Sequence, residues 1–284
     1  MRHGGMRAAA TSVAAVAAAG LIVWLGPDLV SAALPAIMDP DASPRAAEAA
    51  FTVLIFGALL IVASVGGALT GANPFAPGGR PAGLFGLGVA IGAAGVLTAC
   101  AYAWLGGTVA SGPGTRSGAM ALLLGLGVVA FQAGSEEVYF RGWLQPVLQR
   151  AWGAAAAVGL SALAFALLHV FAGARTPLSI VNMVLGGVLF GLLAVRGGGI
   201  AGAVGAHVAW NATEQLVLGL DPNPGTGPFG SLLDLELAGA ALWGGSEEGL
   251  NASAAMTIAL LAILAPMAVL MRRRPAGGGA AMPA

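Results

Sequence analysis

The stretch AMALLLGLGVVAFQAGSEEVYFRGWLQPVLQR, residues 119–150, opens as an apolar run and then places two adjacent carboxylates and an arginine inside it. Its first seventeen residues contain no charge, and at 1.5 Å per residue that length already reaches most of the way across a hydrocarbon core. The same signal recurs along the chain. Apolar runs at Ala8 to Gly26, Ala49 to Thr70, Gly83 to Leu105, Gly153 to Ala172, Leu178 to Val195, Gly199 to Leu218 and Ala252 to Met271 bring the total, with Ala119 to Gln149, to eight. Hydrophobic residues make up 58% of the 284 and charged residues 8%, so the expected fold is all-α, a polytopic membrane protein with about eight transmembrane helices.

The charges order these spans. The chain has twelve Arg, no Lys and twelve acids, a formal net charge of zero that gives no footing for nucleic acid. With the N-terminus inside, Arg2, Arg7, Arg80, Arg150, Arg196 and the run Arg272 to Arg274 fall inside, against Arg45, Arg116 and Arg175 outside. That asymmetry follows the positive-inside rule and puts both termini in the cytoplasm. The first run, after the charged start MRHGGMR, is long for a signal peptide and reads as a retained span. Four segments result: residues 1–118 with three spans, 119–219 as a core of four, 220–251 as a polar outer loop, and 252–284 as a last span and a disordered basic tail. The lone Cys100 excludes an internal disulfide. An Arg-only, Ala- and Gly-rich composition points to a GC-rich bacterial origin, and hence to a bacterial plasma membrane.

Nine of the twelve acids lie in expected outer loops; Glu136, Glu137 and Glu214 lie within spans, as do His169 and His207. An ionisable side chain at membrane depth costs several kcal/mol or more, which makes it a functional candidate. Glu137 and Arg141 are spaced i,i+4, as are Phe165 and His169, and His207 and Asn211, so each pair shares a helix face. Glu136 points about 100° away from Glu137 on a 3.6-residue helix. Arg141 therefore neutralises Glu137 and leaves Glu136 free. Glu136 and His169 each lie about 16 residues, roughly 24 Å of helix, from a turn at Trp152 and Gly153, so a hairpin would bring them to similar depth. Glu137, Arg141, Gln145 and Gln149 form a polar stripe at i,i+4 spacing, expected to border a watered cleft, and the long first leg is expected to tilt, kink near Pro146 or project beyond the hydrocarbon core. Phe165, Tyr139 and Trp210 read as packing or cleft lining, and Glu214 as an outer-end charge.

A carboxylate and an imidazole at one depth can polarise a water, the carboxylate taking its proton. His207 and Asn211 can donate to the oxyanion that attack on a peptide carbonyl creates. No H-E-x-x-H is present for a zinc peptidase, and no aspartate falls within the core spans for a two-aspartate mechanism. Ser135 and Ser161 suit helix contacts. Zinc held by Glu136, His169 and His207 stays open beside a site with no cofactor.

EEVYFR at Glu136 to Arg141, FALLH at Phe165 to His169 and HVAWN at His207 to Asn211 resemble, in order, the E-E-x-x-x-R, F-x-x-x-H and H-x-x-x-N motifs of the CPBP family, which includes the type II CAAX prenyl endopeptidases, also called Rce1-like or Abi intramembrane proteases. The resemblance spans roughly residues 122–218. It implies an eight-helix membrane fold, Glu136 and His169 as water activators, His207 and Asn211 as oxyanion donors, and Glu137 and Arg141 in support. The expected function is an intramembrane glutamic endopeptidase acting on a membrane-associated protein or peptide near the cytoplasmic boundary of the bilayer. The alternatives are a transporter or channel that handles ions or protons through the buried Glu, His and Arg, and a peptide-binding membrane protein without turnover.

Overall fold

A computed structural model describes residues 2–39, 41–112, 117–223 and 227–272. Arg116 and the tail after Arg274 lie outside them. Eight α-helices follow in order: α1 (Arg2–Ile37), α2 (Pro44–Thr70), α3 (Pro81–Leu105), α4 (Ala119–Glu137), α5 (Gln145–Ala172), α6 (Pro177–Gly197), α7 (Ala201–Ala212) and α8 (Ala254–Arg272). Two π-helical segments interrupt the α-helical register, the first at Val138–Leu144 and the second at Thr213–Leu218.

Among the described residues, five helical runs are long and apolar enough to cross a membrane: Gly4–Ile37, Pro44–Thr70, Pro81–Leu105, Ala119–Ala172 and Pro177–Gly197; Ala254–Val269 is shorter. The protein is an integral membrane protein. The 54-residue run, far longer than a bilayer needs, does not continue straight. Gly153 sits at φ 82°, ψ 168°, a conformation that side-chain-bearing residues avoid, and it breaks the run into two legs. Across the turn the Ser161 hydroxyl donates to the Phe140 carbonyl at 3.4 Å, and the rings of Phe140 and Phe165 meet edge-to-face at 5.5 Å. The hairpin expected at Trp152 and Gly153 is therefore present. Helix starts follow local chemistry: proline occupies the first turn of α2, α3 and α6, where its missing N–H has no intrahelical partner to lose.

The short α7 is the most enclosed of the α-helices. Gly88 and Gly92 of α3 lie so close to Gly202 and Ala206 of α7 that a Cβ on either would meet α7 backbone. Small residues let membrane helices approach in this way, where the hydrophobic effect gives no drive. His207 is buried as a result.

The expected outer loop is partly ordered by a three-stranded sheet that the all-helical expectation did not include. Its strands are β1 (Val109–Ser111), β2 (Leu220–Asp221) and β3 (Leu235–Leu237), in the order β1-β3-β2, with β1 antiparallel and β2 parallel to β3. The starts of α2, α4 and α8 lie at this end of the bundle, the sheet end. Glu248 accepts from the backbone N–H groups of Arg175 (3.2 Å) and Thr176 (2.9 Å) at the start of α6. Burial works against its charge, but these bonds and others from Ser179 and Thr176 outweigh it and hold the carboxyl below the usual range.

Candidate active site

The first π segment begins at the residue after Glu137. Pro146 has no N–H for the Gly142 carbonyl and its ring crowds that carbonyl, so the α-register cannot pass through undisturbed. The ladder widens instead, with the Gln145 N–H bonding to the Phe140 carbonyl five residues back. The disturbance expected near Pro146 thus takes the form of a π segment just before it, an irregularity found mostly at functional sites.

Glu137 is fully buried and its Oε1 accepts twice, from Arg141 Nη1 at 3.0 Å and from His207 Nδ1 at 2.8 Å. The Arg141 pairing matches the i,i+4 expectation. The His207 contact was not legible in spacing, because 70 residues separate the partners. A carboxylate can only accept, so Nδ1 carries the hydrogen, and Nε2 offers a lone pair when the ring is neutral or a second N–H when it is charged.

Arg141 is held from several sides, although its Nε makes no hydrogen bond among the described residues. Its Nη2 donates to the Gly187 carbonyl at 3.0 Å, and its guanidinium lies 4.5 Å from the ring centre of Phe165, 5.5 Å from Phe190 and 5.7 Å from Phe140. One helical turn on, Gln145 Nε2 donates to the Gly191 carbonyl at 3.0 Å. The stripe expected to border a watered cleft is therefore buried along α6, where two glycines at i,i+4 spacing present their carbonyls to Arg141 and Gln145. Only Gln149, at the end of the stripe, is exposed.

Phe165, read from the sequence as packing, is a hub. Its ring centre lies 4.4 Å from that of His169, 5.8 Å from His207 and 6.3 Å from Phe190, with Arg141 over its face. Phe190 in turn stacks on His207 at 4.7 Å. Its role could have been suspected from the F-x-x-x-H motif, but its contacts depend on three other elements. His169 is half-buried, and its Nδ1 lies 2.9 Å from the Phe165 carbonyl; a carbonyl only accepts, so Nδ1 donates and Nε2 is left as an acceptor.

Glu136 is 3% exposed, and its Oε2 is buried without a hydrogen-bond partner. No hydrogen bond joins it to His169 among the described residues. Asn211 is half-buried, one turn beyond His207, and likewise makes no side-chain hydrogen bond to a described residue. Glu214 is not an outer-end charge: it is 2% exposed and accepts from Asn251 Nδ2 at 3.0 and 3.2 Å. Asn251 O and Ser253 O accept from Asn182, which ties α6 to the start of α8.

Among the described residues, no three His, Cys, Asp or Glu side chains converge as a metal-ligating group. Glu136, His169 and His207 in this arrangement do not fit a zinc ion, and the carboxylate oxygen nearest His207 belongs to Glu137.

The site is thus a rigid, buried Glu137–Arg141–His207 cluster bordered by two groups with spare capacity, Glu136 and His169. No curated protein and no solved structure matches the chain. A family model does: residues 118–213, 96 of the 284, match the one described as type II CAAX prenyl endopeptidase Rce1-like. That segment, which carries Glu136, Glu137, Arg141, His169, His207 and Asn211, belongs to the Rce1-like family.

Proposed function

We propose that the protein is an intramembrane endopeptidase in which Glu136 is the general base and water the nucleophile, acting on a membrane-associated protein or peptide. The observation that carries this is the contrast between two adjacent carboxylates. Glu137 is paired through its Oε1 with Arg141 and His207, and only its Oε2 is left unbonded, whereas the equally buried Glu136 makes no ion pair among the described residues and its Oε2 is open to take a proton. A buried carboxylate with no ion pair is costly in a purely structural role.

In this mechanism a water sits between the Glu136 carboxylate and His169 Nε2. As its oxygen attacks the peptide carbonyl carbon, a water proton passes to Glu136. The carbonyl oxygen becomes an oxyanion and accepts from the Asn211 amide and from His207 Nε2, which donates when the ring carries both hydrogens. Collapse breaks the C–N bond, and Glu136 returns its proton to the leaving nitrogen. The cluster around Glu137 holds the His207 ring in place before substrate arrives. The reading is metal-free because the carboxylate and imidazole groups do not converge as ligands. With both termini cytoplasmic, Gly153 marks the cytoplasmic turn and the sheet end faces outward.

The test compares new protein termini in membranes of cells that carry the wild type with those of cells that carry Glu136→Gln at equal expression. Termini present only with the wild type support a peptidase and name its substrates. A cellular phenotype lost in the variant with no change in termini contradicts hydrolysis and favours ion handling.

A further inference from the structure

Hydrolysis in a bilayer needs a route for water, and the reading of Glu136 as base leaves open where that water enters. The stripe thought to supply it is sealed along α6. A different polar notch lies on the sheet-end side of Glu136, lined by Glu48 of α2, Val129 and Gln132 of α4, Gln215 and Leu216 of the second π segment, and Phe229 of the loop after β2.

Three observations give the notch a purpose. Gln132 precedes Glu136 by one helical turn, about 6 Å of rise, and shares its face; Gln215 follows Asn211 by four residues, inside the second π segment, so each glutamine stands about one turn from a candidate catalytic group. The Gln132 and Gln215 amides make no hydrogen bond to a described residue, and Glu48 offers a carboxylate half-engaged by Thr52 at 3.4 Å. The notch encloses about 20 Å³, and roughly 10–15 Å³ with two to four polar partners holds one water.

The loop supports the same conclusion. Residues 227–233 turn back into the bundle: Phe229 packs on Gly125, Leu232 and Leu233 donate to the Leu216 and Val217 carbonyls, and Arg45 Nε holds the Pro228 carbonyl at 3.0 Å. Phe229 is thereby buried against α4, and with Gly227 and Gly230 it lines the notch. We propose that this notch is a water-binding site that delivers the hydrolytic water to Glu136 from the sheet end of the bundle, with Gln132 and Gln215 as its positioning residues.

The test is X-ray hydroxyl-radical footprinting of the full-length protein in nanodiscs, in which bound water oxidises the side chains beside it. Phe229 and Leu216, 4% and 8% exposed, should be modified several-fold faster than Leu59 or Phe140, 0% and 1% exposed in the core. The doubly substituted Gln132→Leu, Gln215→Leu protein should lose that excess, and its kcat should fall about tenfold with little change in KM. Phe229 and Leu216 labelling no faster than Leu59, or labelling unchanged in the double variant, overturns the proposal. The labelling does not depend on turnover. Labelling as predicted in a wild type that cleaves nothing would overturn the delivery role through failure of the peptidase reading, while absent labelling in an active wild type would overturn the notch alone.

Discussion

His207 Nδ1 lies 2.8 Å from Glu137 Oε1, the same oxygen that Arg141 Nη1 reaches at 3.0 Å. One carboxylate oxygen thus joins two of the three motifs, which stand 70 residues apart in sequence. The third motif enters through Phe165, whose ring contacts Arg141, His169 and His207.

Removing one member of the buried pair strands the other. Glu137→Leu leaves Arg141 without its counter-ion and should destabilise the protein by about 3–5 kcal/mol. The double variant Glu137→Leu, Arg141→Leu should recover part of that loss while remaining inactive. Thermal unfolding in one detergent, with both single variants and the double, measures the coupling. Additive losses would show that the pair is not a unit.

Phe165→Leu keeps an apolar side chain but removes the ring from the Arg141 guanidinium and both imidazoles. A desolvated cation–π contact is worth about 2 kcal/mol, so a stability loss of that order is expected, together with a kcat reduced about tenfold or more. A variant that loses stability but turns over at the wild-type rate would reduce Phe165 to packing.

Because Glu136, His169 and His207 do not converge as metal ligands, treatment with a strong chelator followed by dialysis should leave the cleavage rate unchanged. Loss of activity that zinc restores would contradict the metal-free reading.

Glu248 ties the loop after β3 to the start of α6 with its carboxyl held below the usual range. For a depressed carboxylate the stabilisation is present above the unfolded value and is lost as pH falls through the folded one. The loop should therefore stay docked at neutral pH and loosen only at pH below the ordinary carboxylate range. Limited proteolysis, with an acid-active protease in the acid range and a neutral protease at pH 7, should show the onset of loop cleavage only in acid for the wild type, and cleavage already at neutral pH for Glu248→Ala. Equal cleavage of both at pH 7 would show that Glu248 does not hold the loop.

Much of the fold is written in local chemistry. Apolar runs ending at Thr70 and Leu105 and beginning at Ala119 coincide with the ends of α2 and α3 and the start of α4, because loss of hydrophobicity and the neighbouring Gly and Pro residues are local signals. The break at Gly153 was legible for the same reason. The long run Ala119–Ala172 and the short α7 and α8 show why counting spans is harder: hydropathy marks apolar length, not where a helix doubles back. The i,i+4 spacing identified Glu137–Arg141 but not what covers that face, so the buried stripe on Gly187 and Gly191 looked like a cleft wall. The His207–Glu137 contact, the place of Phe165 and the returning loop 227–233 depend on packing between elements distant in sequence, for which no local spacing carries a signal.

The central claim is that Glu136 takes the proton of the attacking water. Its most direct test is the single-turnover cleavage rate of purified wild type and Glu136→Gln in proteoliposomes, on a substrate identified from the membrane termini, with substrate affinity and thermal stability measured on the same samples. The account predicts a rate at least 10²–10⁴-fold lower in the variant, the usual contribution of a general base, with affinity and stability near those of the wild type. A Glu136→Gln protein that cleaves within a few-fold of the wild-type rate would contradict it.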